Sequence, residues 1–201
     1  MQLDIKQQMQ DILEAESRAI SAIPYSPDYD RAINLIVDRV HRKGGKLVTS
    51  GMGKAGQIAL NIATTFSSTG IPAVNLHPSE AQHGDLGVLQ PGDVMLLISN
   101  SGRTCEIVSL VRLAGNLYPE IPIIVITGNA DSPLAKMATA TLVTAPVPEV
   151  CPLGITPTTS TTMMTVIGDI LVVNTMRLTG FTKADYAKRH HGGYLGEKSR
   201  D

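Results

Sequence analysis

Three hydroxyls, an amide and a glycine crowd into six residues, Ser99-Asn100-Ser101-Gly102-Arg103-Thr104, where an apolar run gives way to a helical pattern. Free N–H groups and the dipole at a helix start favour an anion. Ordinary N-capping would use one hydroxyl, and this stretch offers three. Ser99, Asn100, Ser101 and Thr104 are therefore candidate ligands for a phosphate monoester. Uncharged donors of this kind suit a small phosphorylated metabolite that must leave after turnover.

A second junction, Gly51-Met52-Gly53-Lys54-Ala55-Gly56, carries the G-x-G-x-x-G spacing. Its glycines have two readings: a dinucleotide fingerprint, or a tight strand-to-helix turn that needs them for steric reasons. The next apolar run ends in His77-Pro78 with no acidic residue for a ribose, and Lys54 adds a cation that the fingerprint does not need. Both facts argue against a nicotinamide cofactor. The segment His77 to Gly87 is dense in His, Glu and Asp, including His83, but has neither H-x-x-x-H nor H-E-x-x-H spacing. No metal is expected there, and the segment reads as a polar substrate wall or a subunit contact. Glu149-Val150-Cys151-Pro152-Leu153-Gly154 precedes a threonine-rich tract with Thr158 or Thr159 as candidate helix cap, and Arg189-His190-His191-Gly192-Gly193 reads as a functional loop.

These junctions need elements to hold them. Leu3, Met9, Ile12, Leu13, Ala19 and Ile20 recur at helical spacing until Pro24, and a second helix fits Asp28 to Lys43, stopped by Gly44-Gly45. Strand-like runs follow at Lys46–Thr49, Pro72–Leu76, Val94–Ser99, Pro122–Thr127 and Ala140–Thr144. The Val94 and Pro122 runs are apolar without alternation, as strands buried on both faces should be. Helical patterns lie between them at Ala55–Ser68, Thr104–Leu117 and Ser132–Met137, with further helices at Thr158–Thr179 and Lys183–Lys188. The rhythm predicts an α/β fold, a parallel sheet covered by helices on both sides. No linker or repeat divides the chain, so residues 1–201 are expected to form one domain, with N-terminal helices over 1–43 and a core over 46–196.

Composition narrows the function classes. Seventeen Lys plus Arg against eighteen Asp plus Glu give a net charge of −1, and no stretch concentrates the positive charge. With 3% aromatic residues and no Trp, neither a basic footprint nor a base-stacking platform for nucleic acid is present. Two cysteines make no disulfide framework, and no apolar run approaches the ~20 residues of a membrane span. The polar N-terminus does not read as a signal peptide. A soluble cytoplasmic protein is expected.

At its motifs the chain resembles the SIS (sugar isomerase) domain of the arabinose-5-phosphate isomerases. GMGKAG, TFSSTGIPAVNLHPSEAQHGDLG, ISNSGRTCEI, EVCPLGITPTTSTT, GDILVV and GFTKADYAKRHHGGYLG run in the family's order over about Leu47 to Gly196. The resemblance implies a three-layer sandwich with a five-stranded parallel sheet, homodimers or homotetramers with sites at subunit interfaces, and no cofactor. It implies interconversion of ribulose 5-phosphate and arabinose 5-phosphate, the precursor of the lipopolysaccharide sugar Kdo. The family's catalytic Lys, two Glu and His fall on Lys54, Glu106, Glu149 and His190, and Gly53, His83 and His191 join them as substrate-binding candidates. His191 stands where the family usually has Pro, which leaves the functional His open between positions 190 and 191. Arg103-Thr104 replaces a common Glu-Ser, a charge directed at the phosphate or at solvent. Many members carry a pair of CBS modules after the SIS domain, and this chain, ending at Asp201, is expected to lack that regulation.

Such an isomerisation needs a base, an acid for the carbonyl oxygen and a grip on the phosphate. Glu106 or Glu149 serves as base, a cation such as Lys54 stabilises an enediolate, and a His opens the sugar ring or shuttles the oxygen-bound proton. Two alternatives stand beside it: an isomerase of another pentose or hexose phosphate, and a non-catalytic sugar-phosphate sensor. The sensor predicts loss of the acid/base residues, all four of which are present.

Overall fold

The computed structural model describes residues 4–200. Five parallel strands form one sheet: β1 (Leu47–Gly51), β2 (Ala73–Asn75), β3 (Val94–Ile98), β4 (Ile123–Thr127) and β5 (Ala140–Val143), in the order β2-β1-β3-β4-β5. Helices α1 (Ile5–Ser21) and α2 (Asp28–Leu35) precede it, and α3 (Gly53–Ser68), α4 (Pro78–Ala81), α5 (Cys105–Leu117) and α6 (Pro133–Lys136) connect its strands. Helices α7 (Thr159–Thr179), α8 (Lys183–Ala187) and α9 (Gly193–Arg200) follow. Of the apolar stripe expected from Leu3 onward, Leu3 itself lies outside the described residues.

Alternate residues of the unalternating strands feed two cores, which is why those strands must be apolar throughout. Leu96 and Ile98 of β3 pack with Ile36 and Val40, with Ile58 and Phe66 of α3, and with Ile167 and Leu171 of α7. Met95 and Leu97 face the other way, onto Ile107, Leu110 and Val111 of α5 and Leu134 of α6. The result is the three-layer α/β sandwich, helices on both faces of the sheet. Asp93, 1% exposed at the entry to β3, accepts from the Lys46 and Gln90 amides and pairs with Lys46 Nζ at 2.6 Å, tying the starts of β1 and β3 together.

The structure differs from the sequence expectations in three places. The second helix widens into a π-helix over Ile36–Arg42, and the wider turns still bury Ile36, Val37 and Val40. His77 to Gly87, which gave no periodic element in the sequence, holds α4 and runs into a 3₁₀ turn at Asp85–Val88. The tail beyond Gly192 is helical. It left no apolar periodicity to read, because Tyr194 and Leu195 stay 71% and 53% exposed.

Candidate active site

In this strand order the crossovers from β1 and β3 leave in opposite directions, so a crevice opens between the carboxyl ends of those two strands. Gly51 pairs with Ile98 in the register, which sets the two candidate loops side by side. A Cβ on Gly51 would fall 2.7 Å from the Ala55 carbonyl, and one on Gly56 would fall 2.7 Å from the Gly51 oxygen. These two glycines let α3 start hard against β1, the steric reading of the motif. That close start points Lys54, in the first turn of α3, at the crevice.

The crevice is a cleft of about 310 Å³ lined by Lys54, Ser99, Asn100, Ser101 and Thr104, with Ser160 and Thr161 of α7 among its other walls. Five of the candidate residues therefore converge. Lys54 makes no ion pair among the described residues. Ser99 Oγ and Thr104 Oγ1 share a hydrogen bond at 2.8 Å, and the Gly102 N–H donates to Ser99 Oγ at 3.1 Å. Thr104 stands at the N-cap of α5 without a cap hydrogen bond to its own side chain. A helix start of this kind is a place where an anion can bind, as the loop composition suggests. Gly102 has φ +62°, and a Cβ there would overlap Ser132 Oγ, so α6 backs the loop directly. Arg103 is exposed and lies outside the cleft lining.

The remaining candidates are placed elsewhere. Glu106 sits in the first turn of α5 and accepts the Cys105 thiol at 3.1 Å, which, with a backbone amide, holds its carboxyl below the usual range. Glu149 lies one step behind the cleft. Its Oε2 accepts the Thr158 amide at 2.7 Å, the Thr158 hydroxyl at 2.9 Å and the Ser160 amide at 3.2 Å, and its Oε1 accepts the Ser160 hydroxyl. Burial alone would raise its pKa, but the Ser160 and Thr158 donors outweigh it and the net shift is downward. Thr158 does occupy the N-cap of α7, without acting as the cap acceptor expected of it. Its hydroxyl donates to Glu149, and the carboxylate does the capping. Gly53, at φ +56°, opens α3, and His83 is exposed beyond α4. Both follow strands at the carboxyl edge of the sheet, outside the cleft lining.

His190 and His191 are not brought to this cleft within one chain. Helix α7 has its first turn in the cleft wall and runs 21 residues, about 30 Å at 1.5 Å per residue, before α8 begins. His190 then stacks on Tyr186 at 3.6 Å between ring centroids, with Nδ1 3.1 Å from the Tyr186 carbonyl. The neighbouring Arg189 lies over the Phe181 ring, and both residues crowd Gly70 beyond the far end of α3. Among the described residues no three His, Cys, Asp or Glu side chains gather into a metal-binding group, and no helix is long and apolar enough to cross a membrane. Sequence reasoning missed the α7 wall. The threonine-rich tract marked a helix start, but nothing local said that this start faces the Ser99–Thr104 loop.

Known proteins are similar to this chain in sequence and fold. The SIS domain pattern matches residues 40–174. Curated arabinose 5-phosphate isomerases KdsD of Shigella flexneri and Escherichia coli strain K12 are 41% and 40% identical over 199 residues, 97% of this chain. The chain spans 58% of the length of these relatives. A structure from Bacteroides fragilis, described as a candidate phosphosugar isomerase involved in capsule formation, superposes with TM-score 0.93 at 64% identity, covering 94% of this chain and 99% of that one. A protein of E. coli CFT073 in complex with arabinose 5-phosphate gives TM-score 0.83 at 32% identity, covering 92% of this chain and 96% of its own. With the domain pattern spanning more than half of its residues, the chain belongs to the SIS-domain family.

Proposed function

We propose that this protein interconverts D-arabinose 5-phosphate and D-ribulose 5-phosphate through an enediolate. The observation that carries the reading is the convergence of Lys54 with the Ser99–Thr104 loop in one cleft. The loop and the α5 amides hold the phosphate, and Lys54 stabilises the oxygen that becomes negative when the proton beside the carbonyl is removed. Four donors tie both oxygens of Glu149 to the start of α7, whereas Glu106 holds only the Cys105 thiol and a backbone amide, which leaves Glu106 the freer base. The isomerisation moves the carbonyl oxidation level from one carbon to its neighbour with no net redox change, so it needs no redox cofactor. A phosphorylated substrate and two free cysteines fit a cytoplasmic setting.

The site is shared between copies of the chain in a homodimer or homotetramer. Two features support this. His190 sits a helix length from the cleft, and α1 leaves Ile5, Met9 and Leu13 more than half exposed on one stripe. A second copy supplies His190 or His191 to open the sugar ring or carry the oxygen-bound proton. The rival reading, a sugar-phosphate sensor without turnover, is favoured by one fact: Glu106, Glu149 and His190 all lie outside the cleft lining of a single chain. Incubation with arabinose 5-phosphate in deuterium oxide separates the two. The isomerase forms ribulose 5-phosphate carrying deuterium next to the carbonyl and Glu106→Gln abolishes both, whereas binding with neither product nor exchange establishes the sensor.

A further inference from the structure

We propose that Ser160 and Thr161, on the first turn of α7, form an acceptor wall that reads the hydroxyl groups of the sugar, opposite the donor wall that takes its phosphate. The proposal rests on the phosphosugar reading of the cleft and assigns the specificity of its second side.

Hydrogen-bond polarity separates the two walls. A hydroxyl has one proton to donate and two lone pairs to accept with, and an ionised carboxylate only accepts. The Ser160 proton is spent on Glu149 Oε1, and the Thr161 proton is spent on the Thr158 carbonyl at 2.7 Å. Among the described residues neither oxygen receives a hydrogen bond, and both residues line the cleft. What they offer a ligand is therefore lone pairs. Ser160 is 7% exposed, so its orientation is set by the protein rather than by bulk water. A carboxylate pulling on its proton also strengthens the oxygen as an acceptor.

The facing wall has the opposite polarity. Ser101 Oγ accepts the Arg103 amide at 3.2 Å, which leaves its proton to donate, and Lys54 and the uncapped start of α5 add further donors. Donors on one side and acceptors on the other fit a ligand with an anion at one end and hydroxyl donors along its chain. Such a wall resists an unphosphorylated or hydroxyl-poor ligand for separate reasons, since a site built to bond a hydroxyl rejects an analogue that lacks it. Glu149 acts in this through Ser160, as a positioning residue.

Calorimetric titration of the full chain with D-arabinose 5-phosphate and, separately, with inorganic phosphate tests this. Ser160→Ala and Thr161→Val should each weaken arabinose 5-phosphate about tenfold, the effect of leaving one polar group unpaired, while inorganic phosphate binds as in wild type. Ser160→Thr keeps the oxygen and should restore most of the sugar-phosphate affinity, which a general loosening of α7 would not allow. Unchanged arabinose 5-phosphate affinity in both Ser160→Ala and Thr161→Val overturns the proposal, as does an equal loss for both ligands. If wild-type protein binds neither ligand, the phosphosugar reading itself falls and takes this wall with it.

Discussion

Glu149 Oε2 accepts the backbone N–H of Thr158 at 2.7 Å, so a carboxylate nine residues upstream caps the helix that walls the cleft. Its charge sits against the positive end of the α7 dipole as well as its amides. Glu149→Gln should destabilise the fold by about 1–2 kcal/mol at pH 7, in the range of a lost charged cap. The folded-state pKa is depressed, so this contribution is present above the ordinary glutamate pKa and is lost as pH falls through the folded value. Urea unfolding from pH 7 to pH 3 should show the wild-type advantage shrinking toward zero. An advantage that stays constant into acid means the cap is not ionic.

Gly102 is held at φ +62°, with Ser132 Oγ standing where a Cβ would have to go. Gly102→Ala should therefore displace the Ser99–Thr104 loop, at roughly 1–3 kcal/mol for the strained backbone alone. Arabinose 5-phosphate binding should fall more than tenfold. Normal affinity in a titration of the folded variant would show that the loop tolerates the Cβ.

The two cysteines should react in a fixed order. Burial raises the Cys151 thiol, but Thr156 and the backbone N–H groups of Ile155, Thr156 and Leu153 bring it down to about 7. The Ile155 and Thr156 amides reach Sγ at 3.3 and 3.1 Å. Cys105 donates to the Glu106 carboxylate, which pushes its thiol up. Iodoacetamide labelling followed by peptide mass spectrometry should find Cys151 half-maximally reactive near pH 7, with Cys105 lagging despite its greater exposure. Faster labelling of Cys105 at pH 7 would contradict the hydrogen bonding at both sulfurs.

Lys54 and His190 occupy distant parts of one chain, so a shared site makes a sharp prediction. Lys54→Met and His190→Asn should each be inactive, and Lys54→Met should leave stability within about 0.5 kcal/mol of wild type, as for an exposed side chain without a partner. Mixing the two variants under conditions that exchange subunits should restore part of the turnover, because some sites then combine an intact Lys54 with an intact His190. Failure to regain activity after demonstrated exchange would place the whole constellation within one chain.

The sequence by itself determined the five strands, the longer helices and one of the cleft's loops. Unalternating runs at Val94 and Ile123 required burial on both faces and hence a covered parallel sheet. The Ser99–Thr104 composition marked a candidate anion site at a helix start, while the glycines of Gly51–Gly56 left a dinucleotide fingerprint and a tight turn both open until the structure showed the turn. Each of these signals is local, since periodicity, capping and Cβ clashes depend on residues a few positions apart. The tertiary structure decided what the loop faces. Strand order put β1 beside β3 and brought the first turn of α7 across from a loop far earlier in the chain, making Ser160 and Thr161 part of the cleft. It turned Thr158 from cap to donor by delivering Glu149 to the helix end, and it carried His190 a helix length away. Those outcomes depend on how the helices pack over the two faces of the sheet, a property of the whole core that no short window of sequence contains.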